Sequence, residues 1–249
     1  MSDVDPQRKA NARSERIEML IYRILDKIKG PKNETVYDFW RMIWQEKIML
    51  IIMLCNVDEK QTQKCYQYWP KKIGQTINLN QITLKTISVT FIENNNITVT
   101  KIKIDCDNKC RILYHRHWTT WPDGGVPTTT TEPFSLLQSA REQKSPVVVH
   151  CSAGIGRTGT LILIEIILSS LKQGKIPNSK YYVEVLRTHR AGAVQTEDQY
   201  AYAHYAIVQF LYHKKVFTQN DISGRYLILT TTSILFCFQR VFKNISSIN

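Results

Sequence analysis

Acidic side chains are scarce in this sequence: 21 Asp and Glu stand against 33 Lys and Arg, which leaves a formal net charge of +12 at pH 7. Such a field draws anionic ligands. A basic surface interleaved with aromatics, the mark of a DNA- or RNA-binding module, is also missing, so no nucleic-acid partner is expected. The six cysteines, Cys55, Cys65, Cys106, Cys110, Cys151 and Cys237, form no dense framework, and no secretory-type leader opens the chain. Together these predict a reducing, cytoplasmic compartment. Cys106 and Cys110 have no second pair to complete a metal site and read as two unrelated thiols in a loop, so no metal is expected. Long apolar runs are lacking too. Ile48–Cys55 and Tyr226–Phe238 both fall short of the ~20 residues a spanning helix needs. What remains is 249 residues with 43% hydrophobic and 22% charged content, enough for one large α/β domain.

The informative stretch is Val147–Gly159, VVVHCSAGIGRTG. Val147, Val148 and Val149 read as a short strand buried on both faces. From Thr158 the sequence TGTLILIEIILSSLK reads as a largely buried helix that ends before Gly174. Between them, Cys151–Arg157 fits a tight loop. Gly154 and Gly156 permit backbone conformations closed to other residues, so successive N–H groups can turn inward and join the field of the helix N-terminus. An anion with several equatorial oxygens, phosphate above all, fits such a site. A cysteine in that field reaches a pKa of roughly 3.5–7.5, which makes Cys151 a thiolate nucleophile. Arg157 offers a planar fork for two phosphate oxygens. Ser152 and Thr158 offer hydroxyls that orient the loop or stabilise a departing thiolate. A lone buried cysteine beside a glycine turn would be a core residue. Cysteine, two glycines, arginine and a hydroxyl residue in these places favour the anion site.

HCSAGIGRTG resembles the signature of the tyrosine-specific protein phosphatases of the cysteine-nucleophile class. Further segments share the resemblance. Asp38-Phe39-Trp40 with Trp44 follows Gly30-Pro31, and Lys64-Cys65-Tyr66-Gln67-Tyr68-Trp69-Pro70 matches the family's KCxxYWP element, with Glu59 upstream at a usually acidic position. Trp121-Pro122-Asp123 is similar to the family's WPD loop and follows His117-Trp118-Thr119-Thr120. Gln195-Thr196-Glu197-Asp198-Gln199-Tyr200 matches its QTxxQY segment. The phrasing of GPKNETVYDFWRMIWQEK and RAGAVQTEDQYAYAHYAI looks most like the phosphatases carried by bracoviruses of parasitoid wasps.

The resemblance implies a central mixed, twisted sheet flanked by helices. It covers residues 30–213, leaving 1–29 as a divergent N-terminal segment and 214–249 as an unassigned apolar tail, for which membrane contact is the lesser reading. Along the chain, Ile17–Ile28 has apolar residues at helical spacing and reads as a helix. Asn33 or Thr35 caps a helix over Val36–Trp44. Ile48–Cys55 reads as a central strand. Ile73–Ile104 reads as several antiparallel strands, with Asn94-Asn95-Asn96 as a turn. Phe134–Gln143 and Tyr181–Arg190 read as helices, and a last helix runs from Ala193 to about His213.

By the resemblance, Cys151 attacks phosphorus, Asp123 protonates the leaving tyrosine, and Gln195 positions the water that hydrolyses the cysteinyl-phosphate. Ser152, Ala153, Gly154, Ile155, Gly156 and Arg157 surround the phosphate with Gln199 close by, and His150 and Thr158 support the thiolate. On a hinged Pro-Asp-Gly-Gly loop, Asp123 arrives once substrate is bound. Gly124 stands where the family often has a large residue, which loosens contact with a substrate ring. The expected partners are phosphotyrosine proteins, and no cofactor is required. A KNRY-like segment and a DYINA-like strand, usual in the family, are not found within Met1–Lys29, which predicts an open pocket wall and an uncovered sheet edge. Two alternatives remain at this stage: a phosphotyrosine-binding protein without useful turnover, and a phosphatase of RNA 5′ ends or phospholipids.

Overall fold

The computed structural model describes residues 24–25 and 28–216. Among them, seven strands form one mixed sheet, and two short strands form a separate ribbon. In chain order the sheet contains β1 (Ile24–Leu25), β2 (Leu50–Met53), β5 (Thr76–Leu79), β6 (Ile82–Ile92), β7 (Ile97–Cys106), β8 (Lys109–Trp118) and β9 (Val147–His150), while β3 (Asp58–Glu59) and β4 (Thr62–Gln63) make the ribbon. Spatial order is β1-β9-β2-β8-β7-β6-β5. The first four are mutually parallel, with β9 paired to β1 and β2 to both β9 and β8. From β8 to β5 the pairing is antiparallel.

Composition explains the two halves. β2 and β9 are apolar without alternation and buried at every position, as befits parallel strands covered on both faces. β7 alternates buried and half-buried residues along most of its length, the pattern of a sheet with one wetter face. Its turn into β8 is two residues long, with Asp107 and Asn108 both at positive φ (49° and 57°), the geometry that matches the twist of a hairpin. Cys106 and Cys110 therefore end facing strands of a hairpin and do not lie in an open loop; Cys106 is buried and Cys110 exposed.

Five helices among the described residues flank the sheet: α1 (Val36–Gln45), α2 (Glu132–Arg141), α3 (Gly156–Lys172), α4 (Ser179–His189) and α5 (Glu197–His213). α3 is buried almost all round, packed among α2, α4, α5 and β9, and so needs no polar face. Its one carboxylate, Glu165, is buried and met by Arg141 of α2. α1 inserts Trp40, fully buried, whose indole N–H donates to the Tyr68 carbonyl at 2.8 Å.

Several expectations are corrected by these elements. Ile24–Leu25 is not helical but pairs with Val147–Val148, because the edge of β9 offers an apolar backbone a partner that an isolated helix lacks. Residues 17–23 and 26–27 of the expected helix lie outside the described residues, as does the tail from Phe217. Ile24 and Leu25 also cover part of the edge expected to be bare. Thr35 caps no N–H of α1 with its side chain; its Oγ1 accepts from the Lys32 amide at 2.9 Å, beneath a 3-10 turn over Asn33–Thr35. The last helix begins at Glu197, four residues later than Ala193, since Thr196 caps it by accepting from the Gln199 amide.

Because β2, β8 and β9 are parallel, their C-terminal ends lie at one edge of the sheet, the usual ligand side of such folds. The segments carrying Glu59, Asp123 and Cys151 all leave from that edge. The segment at 193–194 is fixed against it by α3: a Cβ on Gly159 would lie 2.6 Å from the Val194 backbone nitrogen. Val194 N in turn donates to Ile155 O at 3.1 Å. Gly159→Ala therefore forces two backbones apart and is expected to cost about 2 kcal/mol, read as a lowered urea midpoint at unchanged slope.

Candidate active site

The segment Cys151–Ile155 leaves β9 and turns tightly into α3. What fixes its shape is the fate of its carbonyl groups. Cys151 O accepts from His150 Nδ1 (3.0 Å), Ser152 O from the Gly30 amide (2.9 Å), and Ala153 O from Arg190 Nη2 (2.6 Å). Ile155 O accepts from the amides of Gly159 and Val194, both at 3.1 Å. With these four carbonyls engaged elsewhere, the loop amides are left for an anion beside the N-terminus of α3, as in an anion nest. Gly154 sits at φ +70°, and a Cβ there would come within 2.6 Å of Ile28 O, so both conformation and space demand glycine.

Gly156 is needed for a different reason from the one expected. It opens α3, and the space beside it is filled by two glutamines: a Cβ there would meet Gln195 Oε1 and Gln199 Nε2, each at 3.0 Å. Gln199 is buried and its Oε1 accepts from the Gln195 amide at 3.0 Å. The fold thus gathers Gln195 and Gln199 at the mouth of the loop. The two hydroxyls part company. Ser152 Oγ donates to the Lys64 carbonyl at 2.9 Å and holds the loop to the next segment. Thr158 Oγ1 is buried with no partner among the described residues.

Arg157 is the electrostatic centre. Its side chain is only 4% exposed. Nη1 donates to Glu59 Oε1 (2.7 Å), Leu54 O (2.8 Å) and Trp121 O (3.3 Å), and Nη2 to Glu59 Oε2 (2.5 Å) and Asp123 Oδ1 (2.8 Å). Burial opposes the guanidinium charge, but the Glu59 carboxylate outweighs it and raises the arginine's pKa above its ordinary value. Glu59 is held in turn by the Asn56 amide at 2.8 Å, and Asn56 Nδ2 reaches Thr119 O at 2.8 Å.

Asp123 lies between two cations, with Oδ2 2.7 Å from Lys64 Nζ and Oδ1 on Arg157. The hydrogen bond from Lys64, then the one from Arg157, lower its pKa below the usual value despite partial burial. The loop that carries it is pinned by Trp121, fully buried, whose indole N–H donates to Gly125 O at 3.1 Å. Gly124 takes φ +70°, and the space where a side chain would stand is open.

Beneath the loop, His150 is fully buried and engages Cys151 through the carbonyl. Burial lowers its pKa to about 4, so the ring is neutral. Two further thiols border the site: burial pushes Cys65 up to about 12, and burial reinforced by Cys65 and Cys151 raises Cys55 further. The expected site residues therefore converge from three segments, 150–158, the Asp123 loop and 195–199. Glu59, Lys64, Asn56 and Arg190 join them without having been given roles from sequence. Lys64 opens a recognisable motif and Glu59 stands just upstream of it, but their partners lie far along the chain, Glu59 and Arg157 being 98 positions apart. No group of three or more His, Cys, Asp or Glu poised to hold a metal occurs among the described residues.

Residues 28–209 match the family model of the protein-tyrosine phosphatases. Receptor-type tyrosine-protein phosphatase epsilon of Rattus norvegicus is 34% identical over 208 residues, which is 79% of this chain and 28% of that protein. Tyrosine-protein phosphatase 99A of Drosophila melanogaster is 34% identical over 194 residues, 73% of this chain and 14% of that one. The chain thus spans less than a third of the length of these relatives. The crystal structure of the catalytic domain of human protein tyrosine phosphatase non-receptor type 18 superposes with a TM-score of 0.67 at 28% identity, covering 75% of this chain and 68% of that one. On the matched length, the identity and the shared sheet, this chain belongs to the protein-tyrosine phosphatase family.

Proposed function

We propose that the chain hydrolyses phosphotyrosine in proteins, with residues 30–213 as the catalytic domain. The observation that carries this is the convergence of Asp123 on Arg157 at the rim of the Cys151 loop, 2.8 Å apart, so that acid, anion clamp and nucleophile share one small volume. A phosphate entering the loop takes the place of the Asp123 carboxylate on Arg157. The Cys151 thiolate attacks phosphorus and an S–P bond forms as the P–O bond to tyrosine breaks, with Asp123 delivering its proton to the departing phenolic oxygen. Water aligned by Gln195, with Gln199 behind it, then attacks phosphorus. Asp123 takes the water proton, the S–P bond breaks, and inorganic phosphate leaves. Arg157 and the amides of Ser152, Ala153, Gly154, Ile155 and Gly156 carry the equatorial charge throughout. The unpartnered hydroxyl of Thr158 is free to donate to the returning thiolate.

Phosphotyrosine proteins are the proposed substrates, supported by a family neighbour, PTPN18, solved with HER2 phosphopeptides and similar to this chain with a TM-score of 0.68 at 27% identity. Five free cysteines among the described residues support a reducing, cytoplasmic setting, and no described helix is long and apolar enough to cross a membrane. The wording of GPKNETVYDFWRMIWQEK supports the narrower likeness to bracoviral phosphatases.

Steady-state turnover of a phosphotyrosine peptide tests the reading. Cys151→Ser is expected to lower kcat by on the order of 10⁴-fold or more while phosphopeptide binding persists; equal turnover in the two proteins would sink the assignment. A second measurement addresses Asp123. Lys64 stabilises the carboxylate form, and the acid step needs the protonated form, which is lost as pH rises through the pKa. Lys64→Met raises that pKa, so the alkaline limb of kcat/KM moves to higher pH. A limb that stays in place or moves to lower pH assigns the proton donor elsewhere.

A further inference from the structure

Three neutral side chains run in a line from β8 to the nucleophile. His115 Nε2 lies 2.7 Å from the Tyr68 hydroxyl, which lies 2.7 Å from His150 Nε2, while His150 Nδ1 lies 3.0 Å from the Cys151 carbonyl oxygen. His115, Tyr68 and His150 are all fully buried, so water cannot complete any of these bonds. The direction of every bond then follows from one end. A carbonyl oxygen only accepts, so His150 Nδ1 carries the proton. The ring is neutral, so its Nε2 is bare and accepts from the Tyr68 hydroxyl. The Tyr68 hydrogen is thereby committed, and its oxygen accepts from His115 Nε2–H. His115 Nδ1 must then be bare, and it is a buried nitrogen with no hydrogen-bond partner among the described residues. Trp69 stacks on His115 with ring centroids 4.3 Å apart and planes 26° off parallel, which fixes the imidazole edge toward Tyr68.

We infer that His115 is a positioning residue: by donating to Tyr68 it locks His150 as the Nδ1–H tautomer and keeps a donor on the carbonyl of Cys151. Without His115, the Tyr68 oxygen is free to accept from His150 Nε2–H while its own hydrogen turns to Met53 Sδ, 3.8 Å away. In that tautomer a bare Nδ1 faces the Cys151 carbonyl and the bond that anchors the loop's first residue is lost. The other ionisable groups around the line are His117 of β8, Cys55 beyond β2, and Cys65. Burial lowers His117 to about 4 and raises both thiols, so none of them changes charge near neutrality. On the reaction side the charge of Arg157 is fixed by Glu59. The inference rests on Cys151 as the nucleophile, but its test does not require turnover.

Long-range proton–nitrogen NMR of the imidazoles in the full chain is expected to show His150 protonated at Nδ1 and His115 at Nε2. Alkylation of Cys151 by iodoacetamide, followed by mass spectrometry across neutral pH, gives the second readout. His115→Leu is expected to slow alkylation roughly threefold on the acid side, because the donor on the Cys151 carbonyl is lost. His115→Gln, which keeps an N–H donor at similar reach, restores the wild-type profile, and His115→Leu adds nothing in a Tyr68→Phe background. Reversed tautomers in the wild type overturn the inference, as does a His115→Leu profile equal to wild type or a His115→Gln profile as slow as His115→Leu. If His115→Leu fails to fold, the wild-type tautomers and the His115→Gln profile decide. Absent phosphatase turnover in a protein that shows both tautomers and the alkylation pattern counts against the proposed function alone.

Discussion

The buried pairing of Arg157 with Glu59 is the constraint around which the site is assembled. A guanidinium that is 4% exposed is sustained only by a matched partner, and Glu59 supplies both oxygens in a bidentate grip. That grip fixes where the arginine's remaining N–H groups point. They reach the carbonyls of Leu54 and Trp121 and the carboxylate of Asp123, and so tie the end of β2, the start of the acid-bearing loop and the first turn of α3 to one cation. An uncompensated charge here would disturb all three at once. The parallel strands make this possible, because they deliver three chain segments to one edge of the sheet.

Around this cation two kinds of order coexist. Above it lie groups whose charge matters: Asp123 between Lys64 and Arg157, and the anion nest of the Cys151 loop. Below it lie His115, Tyr68, His150 and His117, titratable residues stripped of charge by burial and used for their directional hydrogen bonds. Separating a charged face from a neutral floor keeps the floor's geometry independent of pH near neutrality. The face can then respond to an arriving dianion while the carbonyl at its base stays fixed.

Local signals made much of this legible. The strand-loop-helix of Val147–Lys172 could be read because a β-branched run, a glycine-bearing turn and a buried helix stand side by side in sequence. The antiparallel half was likewise visible in alternation and in its Asn-rich turn. What could not be read depends on distance along the chain. Nothing near Glu59 announces Arg157, and nothing near Tyr68 announces two histidines, one 47 and one 82 positions away. Ile24–Leu25 misled because apolar spacing there suits a helix, whereas the open edge of β9 offered backbone partners. At Gly156 the sequence suggests backbone freedom, but the demand for glycine comes from two glutamines, Gln195 and Gln199, which only the fold brings near.

The bond from the Gly30 amide to Ser152 O has a mechanical meaning. Gly30 follows shortly after Leu25, which is paired with the strand that ends at the nucleophile. One short piece of chain is therefore fastened to β9 at one end and to the anion loop at the other, like a stay between a mast and its boom. A pull along that piece, whether from a partner grasping it or from further chain attached upstream, would pass into the loop without crossing the core.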